Sequence, residues 1–178
     1  MGKVYDGIDD RLAEFLGRQH VFFVGTAPTD PDGHLNVSPK GLDTFRILGP
    51  RSVAYLDLTG SGIETVAHLR DNGRITLMFC AFEGRPLVVR LYGRGRVVEP
   101  GDPEWDGLIG HFPGYPGVRS VVVVDVERVA DSCGYAVPLY EYKGERPQLI
   151  AYAENKGPEG MEQYKSLSHK PRVGWHEV

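Results

Sequence analysis

The sequence predicts a mainly β protein with a few helices, built as an antiparallel barrel, and three observations favour this class. Glycine (23 residues) and proline (13 residues) make up about a fifth of the 178 residues, above the average usage of roughly 12%. Short apolar or alternating segments recur along the chain, separated by clusters of turn residues. Most of these segments are joined as hairpins, and closing a sheet into a barrel removes its exposed edges. The length suits a single domain over residues 1–178.

Composition and charge exclude several classes of function. A net charge of −4 and a pI near 5.9 argue against nucleic acid as a partner. No segment approaches the roughly 18 apolar residues of a membrane helix, and the N-terminus lacks a signal-peptide pattern, so we expect a cytoplasmic protein without a membrane partner. The two cysteines are too few for a zinc site, and the six histidines never take metal-ligand spacing, so no metal is expected.

The first part of the chain predicts one helix and two hairpins. Ile8, Leu12, Phe15 and Leu16 recur at helical spacing, and Gly17 ends the pattern. Clusters of turn residues then separate four predicted strands, over residues 21–26, 34–40, 44–48 and 52–58. A second helix begins at Ser61.

That second helix has the spacing of a capping box. The Ser61 oxygen is placed to accept a free amide of the first turn, and Glu64 is placed to reach back to the serine amide. Asn72 and Gly73 end the helix.

The rest of the chain predicts three more strands, a short helix and a helical extension. Gly93 and Gly95 lie within the second of these strands, where glycine indicates a bend or a close approach of another backbone. Asp102 and Pro103 are placed to cap the short helix. The strands cover residues 74–82, 87–98 and 118–129. Residues 145–178 form a helical or irregular C-terminal extension, with helices over 149–153 and 161–167 joined by Lys156-Gly157-Pro158, and a tail over 169–178.

Two segments carry the residues that favour a ligand site. The first is NVSPKG, residues 36–41, and the second is TGSGIET, residues 59–65, a turn that leads into a helix. Free amides at a helix start, small residues and hydroxyl groups together bind phosphate, and Lys40 would add positive charge. Taken alone, the second segment is more typical of a plain capped helix, and Glu64 in the first turn would repel a phosphate unless its capping bond holds it aside.

The order of these segments resembles the pyridoxamine 5'-phosphate oxidase-like family of FMN-binding split barrels. A helix, a hairpin with NVSPKG, a second hairpin, a helix opened by TGSGIET and a strand containing Arg90-Leu91-Tyr92-Gly93 follow one another over roughly residues 12 to 130. The resemblance implies a six-stranded antiparallel split β-barrel with flanking helices. It also implies a homodimer that binds FMN in a groove at the subunit interface, and we expect the apolar run over residues 118–126 to pair across that interface.

The resemblance assigns cofactor-binding positions in this sequence. The matched positions are Asn36, Val37, Ser38, Pro39 and Lys40 along the flavin ring and ribityl chain, Ser61, Gly62 and Thr65 at the helix start that holds the phosphate, and Arg90 on a strand that lines the groove. Thr59 adds a hydroxyl to the same helix-start turn. No catalytic side chain is assigned, because a flavin would itself carry the chemistry.

Two departures from the family pattern bear on the function. True pyridoxamine phosphate oxidases carry an adjacent basic pair at the phosphate-holding helix start, and residues 61–65 contain no basic residue. The oxidases also have a basic C-terminal segment that completes the substrate site, which residues 169–172 do not match. Oxidation of vitamin B6 phosphates is therefore not expected.

Four functions remain open from the sequence. The first is an FMN-dependent oxidoreductase with a different, unidentified small-molecule substrate or electron donor. The second is a flavin-binding or sensing protein without turnover. A reductase that uses the deazaflavin F420 and a haem-binding barrel are the others.

Overall fold

The computed structural model describes residues 2–60 and 62–168, and within them the chain forms eight strands and four helices. The predicted tail over residues 169–178 lies outside the described residues. The strands are β1 Val4–Tyr5, β2 Phe22–Thr26, β3 Asn36–Lys40, β4 Phe45–Gly49, β5 Ser52–Leu58, β6 Arg74–Cys80, β7 Val88–Val98 and β8 Val118–Ser132. The helices are α1 Asp10–Gly17, α2 Glu64–Asn72, α3 Trp105–Ile109 and α4 Gln148–Ser168.

The strands form one antiparallel sheet in the order β3-β2-β6-β7-β8-β5-β4, with β1 paired to β8. The predicted mainly β, antiparallel fold is therefore confirmed, and the described sheet has eight strands where the sequence predicted six or seven. The hydrogen-bonded order ends at β3 and β4, so the sheet is not closed and its edges are not removed as the barrel prediction required. A split barrel, open between its two outermost strands, describes this arrangement.

Strand β1 was missed because two residues are too few to show alternation. It forms through tertiary contacts, since Val4 pairs with Ala130 and Tyr5 with Val129. The Tyr5 hydroxyl also donates a hydrogen bond to the Asp131 carboxylate. That bond, together with one from the Lys3 amide, outweighs the effect of burial and lowers the pKa of Asp131.

The long strand β8 lies at the centre of the sheet between β7 and β5. Val121, Val122, Val123 and Val124 have at most 2% of their surface exposed, and they alternate between two apolar clusters on opposite faces of the sheet. The expectation that the run over residues 118–126 pairs across a subunit interface was wrong, because these side chains are already buried within one chain.

The two strand glycines confirm the predicted close approaches. A Cβ atom at Gly93 would lie 2.1 Å from the backbone oxygen of Asp125, at a register shift between β7 and β8. A Cβ atom at Gly95 would lie 2.9 Å from a methyl group of Leu69, which belongs to α2. Helix α2 thus packs closely on β7 at Gly95.

The helix starts differ from the predicted caps. Helix α2 begins at Glu64 with Ile63 at its N-cap and no side-chain capping bond from that residue. The predicted capping box involves Ser61, which lies outside the described residues. The C-terminal end of α2 is as predicted, since Gly73 has the left-handed conformation (φ 70°). Asp102 does not cap α3. Its carboxylate accepts the Glu99 amide at 2.7 Å, and α3 has no side-chain cap.

The C-terminal extension contains the two predicted helical pieces. Helix α4 is broken at Gly157, whose φ of 67° is not helical. Ala153 and Met161 are buried, and a Cβ atom at Gly117, just before β8, would lie 2.9 Å from the Ala153 side chain. The extension therefore packs against the start of β8. Among the described residues, no helix has the length and apolar character needed to cross a membrane.

Candidate functional site

Strand β3 presents alternate residues of NVSPKG to opposite sides of the sheet. Asn36, Ser38 and Lys40 lie opposite the buried residues Thr26, Val24 and Phe22 of β2, and directly paired residues share a face. The intervening residues Val37 and Pro39 lie on the other face and are exposed. The five predicted cofactor residues of β3 are thus divided between an inner, polar set and an outer, apolar set.

The inner side chains of β3 reach the start of α2. The Asn36 amide donates a hydrogen bond to Thr65 Oγ1 at 2.9 Å, and the Ser38 hydroxyl donates to Asn36 Oδ1 at 3.2 Å. Twenty-nine residues separate Asn36 from Thr65. The fold therefore brings together the two segments from which the sequence predicted a phosphate site.

A buried cluster of three charges lies beside this contact. Asp57, only 2% exposed, accepts Lys40 Nζ at 3.0 Å through one carboxylate oxygen and Arg119 Nε at 2.7 Å through the other. Lys40 Nζ also lies 5.8 Å from the ring centre of Tyr55. Two cations share one carboxylate, so this cluster carries a net charge of about +1 and favours an anion nearby.

The Tyr55 ring lies next to Lys40 and belongs to the apolar core. It is fully buried, and its hydroxyl has no hydrogen-bond partner among the described residues. Burial, reinforced by the Asp57 carboxylate, raises the pKa of Tyr55 well above its ordinary value. The phenol is therefore neutral at physiological pH.

Arg119 connects the cluster to the turn before α2. Its Nη2 donates to the Gly62 carbonyl at 2.9 Å. Its Nη1, although buried, has no partner among the described residues, and the same holds for the buried hydroxyl of Thr59. Buried polar atoms are nearly always paired with protein, water or ligand, so each of these two donors requires a partner outside the described residues.

The start of α2 has one unfavourable feature for an anion. A Cβ atom at Gly62 would lie 2.9 Å from Glu64 Oε2, so the Glu64 carboxylate folds back over Gly62. Ser61, the remaining predicted phosphate-binding residue, lies outside the described residues.

Arg90 lies apart from this cluster. It pairs with Met78 of β6 and Ala130 of β8, and its Nη1 donates to the Ser132 hydroxyl at 3.1 Å. Strands β2 and β6 separate its strand β7 from β3. Within one chain the structure does not bring Arg90 together with the other predicted cofactor residues.

A cleft of about 1410 Å³ lies elsewhere on the chain. Its walls are α1, the connection between β6 and β7, and residues 131–144. The rings of His20 and Tyr142 stack at 3.6 Å and those of Phe82 and Tyr140 at 5.4 Å in this region. None of the predicted cofactor residues lines it, so the cleft and the charged cluster are separate features.

His68, on α2, is bonded within the fold. Its Nδ1 lies 3.0 Å from the Thr26 hydroxyl. Burial lowers its pKa, against the opposing influence of the Glu64 and Asp71 carboxylates. Among the described residues, no group of three or more histidine, cysteine, aspartate or glutamate side chains is arranged to hold a metal ion.

Sequence reasoning missed Asp57 and Arg119. The signal was present, because each is a charged residue within or beside an otherwise apolar strand, and charged residues are rarely buried unless they are paired. Two such residues of opposite sign predict an ion pair if their strands are neighbours. That β5 and β8 are neighbours is evident only from the fold.

Comparisons with known proteins agree with this fold. The family model described as pyridoxamine 5'-phosphate oxidase matches residues 8–133. The chain is 39% identical over 195 aligned residues to the pyridoxamine 5'-phosphate oxidase family protein ustO of Aspergillus flavus, an alignment that covers 98% of this chain and 78% of that protein. The chain therefore belongs to the pyridoxamine 5'-phosphate oxidase family.

Two solved structures illustrate the range of proteins that share this fold. An FAD-binding protein from Mesorhizobium loti matches with a TM-score of 0.52 and 13% identity, over 74% of this chain and 95% of its own. HutZ, the heme storage protein of Vibrio cholerae, matches with a TM-score of 0.51 and 13% identity, over 70% of this chain and 93% of its own. At this level of identity the likeness concerns the fold alone.

Proposed function

We propose that the chain binds FMN at the contact between β3 and the start of α2, and that it acts as an FMN-dependent oxidoreductase on a small molecule other than a vitamin B6 phosphate. The observation that carries the proposal is the convergence of Asn36, Thr65 and the Lys40–Asp57–Arg119 cluster. Polar side chains, free helix amides and a net positive charge meet there. Family membership supports the choice of a flavin.

The residues present fit the two ends of such a ligand. At the phosphate end, Thr59, Gly62 and Thr65 offer a hydroxyl without a partner among the described residues, a small residue and the uncapped start of a helix. At the other end, Ser38 and Lys40 offer polar contacts along β3. The Glu64 carboxylate opposes an anion, and the proposal requires its side chain to turn away from Gly62.

The protein's contribution to the reaction would be binding, orientation and electrostatics. Bound FMN supplies hydride or electron transfer through its ring. Burial raises the pKa of Tyr55, which lies next to Lys40, so its phenol stays neutral and adds no charge to the site. The chain's own residues would thus hold and orient the ligand, and none is required as a nucleophile or general base.

We also propose that the chain forms a homodimer through the outer face of β3 and its neighbours. Val37 is 68% exposed and Tyr92 37% exposed on this face. The half-buried Phe23 and Met78 lie between them on β2 and β6, with Arg90 beside Met78 on β7. An apolar surface that crosses four strands is typical of an interface. A second copy seated there would also bring a further set of side chains near β3.

A substitution at Val37 tests the dimer. Val37→Glu places a charge on this face and is expected to convert a dimer into a monomer near 20 kDa in light scattering. Leu139→Glu is the matched control, because Leu139 is 75% exposed in the segment after β8, outside the sheet, and its substitution should leave the dimer intact. A wild-type monomer, or a Val37→Glu dimer as stable as wild type, would refute the proposed interface.

A substitution at Lys40 tests the FMN site. Lys40→Met removes the cation that borders β3 and is expected to weaken FMN binding about tenfold, the effect of one charge-assisted contact. Lys156→Met is the control, since Lys156 lies on the distant α4 beside Tyr152 and Tyr164. Equal FMN affinities of the two variants would place the ligand elsewhere.

Reduction of bound FMN tests the reaction separately from binding. The flavin absorbance of the loaded protein is expected to fall when NADH or NADPH is added and to return with an acceptor. Binding without reduction by either donor would favour the non-catalytic flavin-binding or sensing alternative.

A further inference from the structure

Arg119 is the most deeply buried cation of the candidate site. Its side chain is 5% exposed, and its guanidinium makes two directed bonds, to Asp57 Oδ2 at 2.7 Å and to the Gly62 carbonyl at 2.9 Å. The third donor, Nη1, has no partner among the described residues. Burying a guanidinium with an unmade hydrogen bond lowers the stability of the fold. Packing alone therefore does not account for an arginine at this position beside the helix start.

The bond to Gly62 fixes the direction of a backbone amide. The peptide between Gly62 and Ile63 is trans, and in a planar trans peptide the carbonyl and the following N–H point in opposite directions. Because the Gly62 carbonyl points inward to Arg119, the Ile63 N–H points away from it. Ile63 is the N-cap of α2 and its side chain makes no cap bond, so its amide points away from Arg119 at the positive end of the helix.

The helix start lacks a basic side chain of its own. Residues 62–65 are Gly-Ile-Glu-Thr, and the carboxylate of Glu64 lies over Gly62. The net charge of about +1 on the cluster formed by Lys40, Asp57 and Arg119 offsets the negative charge of the Glu64 carboxylate beside this turn.

We propose that Arg119 is a positioning residue that makes the turn before α2 a phosphate site, by holding the Gly62 carbonyl inward and supplying the positive charge that this helix start lacks. The inference rests on the proposed FMN site and identifies which residue selects FMN over riboflavin, two ligands that differ only in the phosphate. Lysine could keep the ion pair with Asp57 but could not bind Asp57 and the Gly62 carbonyl together.

Paired titrations with FMN and riboflavin, monitored by flavin fluorescence, test the proposal. Wild-type protein is expected to bind FMN at least about tenfold more tightly than riboflavin. Arg119→Met should lose most of this preference and Arg119→Lys part of it, while riboflavin affinity stays within about twofold. Arg70→Met is the control, because Arg70 lies on α2 in an exposed ion pair with Glu99, and it should keep the full preference.

A structural role alone would weaken both flavins together, so the FMN-to-riboflavin ratio distinguishes the two roles. Should Arg119→Met fail to fold, Arg119→Lys and Glu64→Gln carry the test. Glu64→Gln removes the opposing carboxylate and should tighten FMN binding without changing riboflavin binding. An unchanged ratio in folded Arg119 variants overturns the inference while leaving the FMN site standing. If the wild-type protein binds neither flavin, the proposed function is wrong, and so is the role of Arg119 that rests on it.

Discussion

Replacing Asp57 with asparagine should cost far more stability than replacing the partly exposed lysine beside it. Asp57 is 2% exposed and is the shared partner of Arg119, 5% exposed, and Lys40, 22% exposed. Asp57→Asn leaves two cations together, one of them deeply buried, without a counterion. Removing one partner of a buried ion pair costs about 3–5 kcal/mol. Lys40→Met leaves Asp57 paired with Arg119 and removes a partly solvated group, so its cost should be about 1 kcal/mol.

Urea unfolding monitored by circular dichroism measures this difference. At a slope of about 2 kcal/mol per M, Asp57→Asn should lower the unfolding midpoint by about 2 M and Lys40→Met by about 0.5 M. The combination of Asp57→Asn with Arg119→Met should cost less than the sum of the two, because the second change removes the unpaired charge left by the first. Equal costs for Asp57→Asn and Lys40→Met, or simple additivity in the double variant, would refute the idea that the two cations depend on one carboxylate.

Two further predictions concern α2 and the strand beneath it. Burial lowers the pKa of His68, so the unfolded chain takes up the proton first, and stability should fall as pH drops below about 6.5. His68→Gln should remove that part of the pH dependence, measured as denaturant midpoints at about pH 7.5 and 5.5, whereas a substitution of the exposed His34 should not. Gly93→Ala should lower the free energy of unfolding by about 3 kcal/mol and Gly95→Ala by about 1 kcal/mol, because the added methyl group meets a backbone oxygen at Gly93 and a movable leucine methyl at Gly95. A pH profile unaffected by His68→Gln, or a Gly95→Ala variant less stable than Gly93→Ala, would contradict these predictions.

Local patterns predicted most elements because each pattern is a short-range property of the chain. Alternation and turn residues placed seven strands to within three residues of their observed ends. Gly73 ends α2 as predicted, and the segment predicted to join the two C-terminal helices contains Gly157, where α4 is interrupted. What the sequence could not supply were properties that depend on pairing between distant segments. Strand β1 exists only through its contacts with Val129 and Ala130, and the open edge between β3 and β4 is a consequence of the whole sheet order.

In the candidate site, too, residue types could be predicted from the sequence, whereas contacts between distant segments could not. The contact between Asn36 and Thr65 joins two segments that the sequence selected by residue type alone. The ion pair between Asp57 and Arg119 spans 62 residues and needs the register of β5 against β8, which no local pattern encodes. Spacing alone also did not show that α2 begins at Glu64 or that Arg119 binds the Gly62 carbonyl just before it.

The most direct test of the proposed FMN site is ligand binding by the purified wild-type protein. The visible spectrum is recorded as isolated, and FMN, riboflavin, F420 and haem are then titrated separately. We predict a flavin spectrum or micromolar binding of FMN, with riboflavin at least about tenfold weaker. Binding of haem or F420 in preference to FMN, or a colourless protein that binds none of the four, would contradict the proposed site.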